Sequence, residues 1–289
     1  MGTPAKKGLY FAFVTTIFWG VWGAYIEIPE KAGFPATLGY VVWSLTMIIP
    51  VIMLAVFNKG WKPEKDMRSV MLGLIIGLTG AGGQLILFEA LRDGPAYIVF
   101  PIISLFPVLT IALSLVFLKE KTGKRQWLGI TCALMAAVLL ANPKLSAGIT
   151  KNYTWLWLSA IVFIMWGVQA FVMKFANNTM KAETIFLYMT ISALMLIPVA
   201  IQMTDFSKPV YLGFKGPYLA AMVHLLNSIG ALTLVYALRY GKAIVIVPLT
   251  GLSPVITVIL SLLLYSVIPG AILTAGLIIA AIAIFLLSE

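Results

Sequence analysis

Long apolar runs follow one another along this chain with only short polar breaks between them, and that pattern leaves very few folds open. Segments 9–28, 35–57, 68–91, 95–118, 124–142, 153–175, 182–203, 217–238, 242–265 and 270–287 are each mostly apolar. A spanning helix needs about 20 such residues, so each is a candidate membrane span. The breaks are turn formers and charges, as in Pro29-Glu30-Lys31, Arg92-Asp93-Gly94, Lys119 to Arg125 and Pro269-Gly270. Inside hydrocarbon every backbone N–H and C=O must be satisfied by protein, which permits only helices and closed barrels. These runs are too long for barrel strands and lack a period-two alternation. The expected fold is an all-α integral membrane protein with ten transmembrane helices.

Composition agrees and closes other doors. Of 289 residues, 61% are hydrophobic and 10% charged, against roughly 45–50% and about 25% in soluble domains. The spans use nearly the whole length and leave no room for a water-soluble core. A net charge of +10 can signal nucleic acid, but here the charges sit in loops between apolar runs. No nucleic-acid partner is expected. Lys6 and Lys7 precede an apolar stretch, Leu9 to Ile28, that is too long for a signal h-region and has no small-residue cleavage site after it. It reads as a retained first span. With the N-terminus inside, Lys and Arg divide 14 to 6 in favour of the inner side. The positive-inside rule then puts both termini in the cytoplasm of a multi-pass protein of the inner (plasma) membrane. Cys132 is the only cysteine, so an internal disulfide and a multi-cysteine zinc site are excluded. No metal or other cofactor is expected.

The chain also repeats itself. Residues 90–118, ALRDGPAYIVFPIISLFPVLTIALSLVFL, lie on residues 237–265, ALRYGKAIVIVPLTGLSPVITVILSLLLY, at an offset of 147 with 13 of 29 identical and no gap. Pro101 meets Pro248 and Pro107 meets Pro254. The same offset aligns Trp19-Gly20 with Trp166-Gly167 and Gly83 with Gly230. An offset of 148 aligns Tyr40, Ser44 and Pro50 with Tyr188, Ser192 and Pro198. A nearly constant offset across whole halves marks a duplicated unit, with repeats at 8–143 and 152–289. Five spans per repeat is an odd number, so the second repeat must enter the membrane upside down. Inverted repeats are a hallmark of secondary transporters, whose substrate site lies near the midplane at the repeat interface.

These residues resemble a known family. The stretches FWGVWGAY and MWGVQAFVMK, and the pair GPAYIVFPIISLFPVLTIALSLVFLKEK and GKAIVIVPLTGLSPVITVILSLLL, are similar to the paired EamA domains of the drug/metabolite transporter superfamily, and the likeness covers essentially the whole chain. The resemblance implies a ten-helix carrier with a central cavity lined by spans 1, 3, 4, 6, 8 and 9. It implies transport of amino acids, nucleobases, sugars or similar metabolites, often outward, with proton coupling in some members. One departure stands out. The first half ends span 4 with Lys119-Glu120-Lys121, as is common in the family, whereas the second half has Tyr265-Ser266-Val267.

Several side chains are candidates for function. Proline removes a backbone donor and frees a carbonyl one turn back, so Pro101, Pro107, Pro248 and Pro254 are expected to bend spans 4 and 9. Pro101 and Pro248, with Tyr97, Ser104, Thr250 and Ser253, are read as lining the path; static kinks satisfied by neighbouring helices are the plainer alternative. Trp19 and Trp166 fall mid-span, away from the interfacial belt where tryptophan usually sits. With Gln169 they could contact a planar substrate, or pack beside Gly20 and Gly167. His224 is the only histidine and lies in span 8, with Gln84 of span 3 at similar depth and Asn227 nearly one turn on. Ionisable groups inside spans are costly and mark substrate or proton paths, and imidazole titrates near neutrality. His224 and Glu27 are the candidates for proton coupling. A histidine bonded between helices and a solvated helix end are the respective plain readings. Glu89 is expected to pair with Arg92 at i+3, and Lys174 to snorkel to the interface, with a gate as its other role.

No soluble-enzyme motif is present. A Ser-His-Asp triad would need His224, yet no aspartate lies in any span. The sequence therefore reads as a secondary transporter, not an enzyme, in which one half rocks against the other around a shared site. Its partners are a small-molecule substrate, the lipid bilayer and, as coupling ion, protons; self-association stays open. A channel-like passive facilitator is the first alternative, and a membrane-embedded enzyme the second.

Overall fold

The computed structural model describes residues 3–93, 99, 102–140, 154–265 and 270–288. Among them helix is the one regular structure, with no strand, in ten rods: α1 Pro4–Lys31, α2 Ala36–Phe57, α3 Met67–Asp93, α4 Ile102–Phe117, α5 Lys124–Leu140, α6 Thr154–Ala176, α7 Ala182–Gln202, α8 Phe214–Tyr240, α9 Ala243–Leu260 and α10 Ala271–Ser288. Seven of the described helices are long and apolar enough to cross a membrane, namely α1 to α3 and α6 to α9. The apolar stretches of α4 and α10 among the described residues are shorter.

The breaks inside rods fall where proline removes an N–H. Rod α4 is interrupted at Leu105, two residues before Pro107, and α9 at Gly251 and Leu252, just before Pro254. Met47 precedes Pro50 in α2, and Leu196 precedes Pro198 in α7. The bends expected near Pro107 and Pro254 are thus present, and at matching places in the two halves. Rod α3 begins with a side-chain cap, the Ser69 N–H donating to Asp66 Oδ2 at 3.0 Å. The Ser69 hydroxyl and N–H hold the Asp66 carboxyl below the usual carboxylate range.

Packing follows an exchange of partners. Rod α1 packs on α8 and α9, and its counterpart α6 packs on α3 and α4. Rod α2 packs on α8, its counterpart α7 on α3; α2 meets α7, α4 meets α9, and α5 meets α10. Eight rods thus form a closed ring of contacts in the order α8, α1, α9, α4, α6, α3, α7, α2, with α5 and α10 packed together outside it. Swapping each rod for its counterpart five places along leaves the pattern unchanged. Counterparts also run in opposite directions. Gly8, at the start of α1, sits on the backbone of Gly241, and Lys174, at the end of α6, reaches the Gly241 carbonyl at 2.6 Å. The face holding these residues also carries Lys7 over the Tyr240 ring and Arg125 over the Phe285 ring. It is called the terminal face below, because α1 starts and α10 ends there.

Glycine and hydroxyl contacts hold the crossings, as expected where lipid gives no hydrophobic drive for helices to associate. The Thr257 hydroxyl of α9 donates to the Gly20 carbonyl of α1 at 2.9 Å, and the Thr110 hydroxyl of α4 donates to the Gly167 carbonyl of α6, also at 2.9 Å. Both donors and both acceptors are 147 residues apart. A methyl group at Gly20 would fall 2.3 Å from Ile256 Cβ, and one at Gly167 2.8 Å from Leu109 Cβ. Large apolar side chains face outward instead, Phe57 being 76% and Leu263 72% exposed, which suits hydrocarbon and not water.

The crossings predict a graded cost. Gly20→Ala and Gly167→Ala push a methyl group into the Cβ of Ile256 and of Leu109, and each should destabilise by roughly 1–3 kcal/mol, Gly20→Ala the more. Thermal melting in detergent measures this; two wild-type melting curves would show that the crossings have slack.

Candidate functional site

The repeat interface places two tryptophans at equivalent points. Trp19 Nε1–H of α1 donates to the Asn227 carbonyl of α8 at 3.3 Å, and Trp166 Nε1–H of α6 donates to the Gly80 carbonyl of α3 at 3.3 Å. Residues 80 and 227 differ by the repeat offset of 147. Each indole lies on a glycine, Trp19 on Gly230 and Trp166 on Gly83, where a methyl group would come within 2.5 Å of ring carbon or nitrogen. Glycine permits this approach because it lacks a Cβ. Both indoles are half-buried. Phe106 stands edge-on to Trp166 at 6.1 Å between centroids, joining α4 to the same cluster.

One turn along, the symmetry ends. Trp22 and Gln169 are counterparts in the repeat. Trp22 Nε1–H donates to His224 Nδ1 at 3.2 Å. The Gln169 amide lies against Gly80, and residue 77, the counterpart of His224, is a glycine packed on Ser192. His224 is 5% exposed. Because its Nδ1 accepts from Trp22, the neutral ring carries its proton on Nε2. That Nε2 is buried without a hydrogen-bond partner among the described residues, and it faces Gly39 of α2. An imidazolium has donors at both nitrogens, so protonating Nδ1 would set N–H against N–H and end the Trp22 contact. Nearby, Thr46 of α2 and Ser228 of α8 share a hydrogen bond at 3.0 Å, and the Ser228 hydroxyl donates to the His224 carbonyl at 3.0 Å.

The remaining expected residues divide. Asn227 and Gln84 are half-buried on α8 and α3. Ser253 is half-buried, and its carbonyl accepts the Thr257 hydroxyl beside Gly20. Ser104 is half-buried in α4. Pro248 is buried within α9. Thr250 is buried too, and its hydroxyl donates to Ile246 and Val247 carbonyls of its own rod at 3.1 Å. Tyr97 and Pro101 lie outside the described residues, as does the side chain of Glu27. Glu89 pairs with Arg92 at 2.5 Å as expected.

Sequence reasoning missed a polar belt at the terminal face. Lys174 does not snorkel out: its ammonium donates to the Leu238 and Gly241 carbonyls at 2.8 and 2.6 Å, capping the end of α8. Asn177 Nδ2 donates to the Val235 carbonyl at 3.1 Å and Arg239 Nη1 to the Met180 carbonyl at 2.9 Å. The Tyr236 hydroxyl donates to Glu183 at 2.7 Å. Glu120 accepts the Ala243 and Ile244 N–H groups, each at 3.1 Å, at the start of α9. Most of these partners are backbone atoms of a different rod and leave no spacing pattern to read.

A duplicated, interlocked bundle of ten rods, five to each repeat, with apolar helices long enough to cross a bilayer, is the architecture of a multi-pass membrane protein. The comparisons with known proteins give the family. The profile of the EamA-like transporter family matches twice, over residues 6–142 and 153–289, and the chain belongs to that family. Its members carry small-molecule substrates across the bilayer and are not enzymes. An uncharacterized protein of Methanocaldococcus jannaschii is 31% identical over 101 residues, covering 34% of this chain and 74% of that one. A crystal structure of a protein superposes with a TM-score of 0.80 at 16% identity, covering 98% of this chain and 96% of the other; it shows the same fold.

Equivalent geometry predicts equivalent cost. Trp19→Phe and Trp166→Phe each remove one part-buried N–H donor, worth about 1 kcal/mol. The two variants should melt within a degree or so of one another and below wild type; a large loss in one alone would break the equivalence.

Proposed function

We propose that the protein is a secondary transporter that moves a small metabolite, in the class of amino acids, nucleobases and sugars, by alternating access, with His224 coupling that movement to protons. The observation that carries this reading is the exchange symmetry of the ring, with tryptophan and threonine bonds repeated at the 147-residue offset. In such an arrangement the same contacts, mirrored, can close either face in turn. The path runs inside the ring, and its proposed lining among the described residues is Trp19, Gln84, Ser104, Trp166, Gln169, Asn227, Pro248, Thr250 and Ser253. The ten rods all span, in repeats bounded at 8–143 and 152–289, and the terminal face is cytoplasmic in the inner (plasma) membrane.

Rigid motion of one repeat against the other fits the packing poorly, because each repeat finds its main partners in the other. Two mixed bundles fit better: α1, α2, α8 and α9 as one, α3, α4, α6 and α7 as the other. Seams α4–α9 and α2–α7 lie between them. The proton acts through Trp22. Neutral His224 holds the indole of α1, and protonated His224 releases it, so the two charge states favour different arrangements of the bundle. A ligand or proton shifts the equilibrium only by its difference in affinity for the two states. Glu27, at the far end of α1, is the second proton-carrying group.

Two measurements test the reading. Purified protein screened against amino acids, nucleobases and sugars should show a raised melting point with one chemical group, since selective binding stabilises the folded state; a flat response to all three would remove the metabolite assignment. In proteoliposomes loaded with the substrate so found, His224→Gln should cut proton-driven accumulation severalfold and flatten its pH profile, and Trp22→Phe should weaken the same profile. An unaltered profile in His224→Gln would reduce the histidine to a packing residue.

A further inference from the structure

We infer that Glu120 and Lys174 form the latch of a gate on the terminal face, and that the structure is held closed there. This rests on the mixed-bundle reading above. Every polar tie of the terminal belt runs from one bundle to the other. Glu120 follows α4 and holds the first N–H groups of α9; Lys174 of α6 holds the last carbonyls of α8. Asn177, Arg239 and the Tyr236–Glu183 pair also tie α8 to the other bundle, and Lys242 Nζ lies 2.5 Å from the Lys121 carbonyl beside the α4–α9 seam.

The two named residues differ from the others in what they meet, the free backbone groups at helix ends. A carboxylate on the free N–H groups of a helix start, and an ammonium on the free carbonyls of a helix end, each meet the matching pole of the helix dipole. Bonds to charged groups are the strong ones. Together they clamp both sides of the α8–α9 turn, at Leu238 and Gly241 before it and Ala243 and Ile244 after it. The backbone is bent to make the first contact. Lys119 has φ of 51°, the one positive φ at a non-glycine among the described residues. That left-handed residue disfavours an ordinary side chain. It ends α4, returns the Glu120 N–H to the Ser114 carbonyl at 3.2 Å, and leaves the carboxylate pointing at α9.

The latch is one-sided by sequence. At the repeat offset, Glu120 corresponds to Val267 and Lys174 to Glu27. Neither charge is reproduced at the mirrored position, so the clamp cannot be built identically on the opposite face. The consequence is a resting bias. The terminal face stays shut until these two contacts are broken, and the rate of opening on that side is set by them.

Distances between spin labels test this in nanodiscs, with Cys132→Ser as background. One label pair at exposed Lys6 and Asn178 spans the terminal seam, and one at exposed Glu30 and Ser207 spans the opposite face. Glu120→Gln and Lys174→Met, singly, should each raise the ratio of long to short terminal distances roughly tenfold, the scale of one charge-assisted bond, and shorten the Glu30–Ser207 distance in step. Lys174→Arg should keep the closed distribution, because its guanidinium can still reach the carbonyls. Terminal distances unchanged in both Glu120→Gln and Lys174→Met overturn the latch. Terminal separation without movement on the opposite face keeps the latch and overturns alternating access. If one variant does not fold, the other decides between these outcomes by itself.

Discussion

The crossings at Gly20 and Gly167 set everything else in place. At each, a threonine hydroxyl from a neighbouring rod reaches a backbone carbonyl at 2.9 Å, and the absence of a Cβ lets the rods touch. In a bilayer, apolar helices gain little from leaving lipid for each other, so close contact and hydrogen bonds must supply the association. Move either crossing outward by a methyl group and the tryptophans one residue before, Trp19 and Trp166, lose their seats on Gly230 and Gly83. The ring of rods and its two faces follow from these paired approaches.

Much of this is readable from residues alone, and the reason is visible. The spans are long and apolar, and duplication left identical residues at a fixed offset, so the rods and their twofold relation can be counted out. The bends near Pro107 and Pro254 are legible because a missing N–H has a local effect. Thr110 and Thr257 sit in the aligned stretch as an identical pair, and their partners Gly20 and Gly167 align too. What the alignment cannot tell is which rod each pair will meet. A constant offset relates counterparts; it says nothing about neighbours, and the pairing of α1 with α8 instead of with its own repeat comes only from packing.

The site is legible where side chain meets side chain and obscure where side chain meets backbone. His224 stands out as the single histidine, and its indole partner lies in a stretch already marked by its tryptophans. Lys174 reads as an interfacial lysine, because a carbonyl at the end of another helix has no signature. Glu120 reads as half of an unmatched motif for the same reason. The asymmetry of Lys119-Glu120-Lys121 against Tyr265-Ser266-Val267 is plain in the sequence, but its meaning depends on the two amides of Ala243 and Ile244. Thr250, expected to face the path, has its hydroxyl committed to its own rod.

The interleaving of the ring also bears on how the chain is made. Rod α1 is made before the surface it packs on, which belongs to α8, some two hundred residues later in the chain. Until then the Thr15 and Thr16 hydroxyls, which end up bonded to Gly230, Thr233 and Leu249, have only the Phe11 and Ala12 carbonyls of their own rod. The native packing of α1 is therefore a postponed assembly: most of the surface it is built to meet does not exist until the second copy of the duplicated unit has been made.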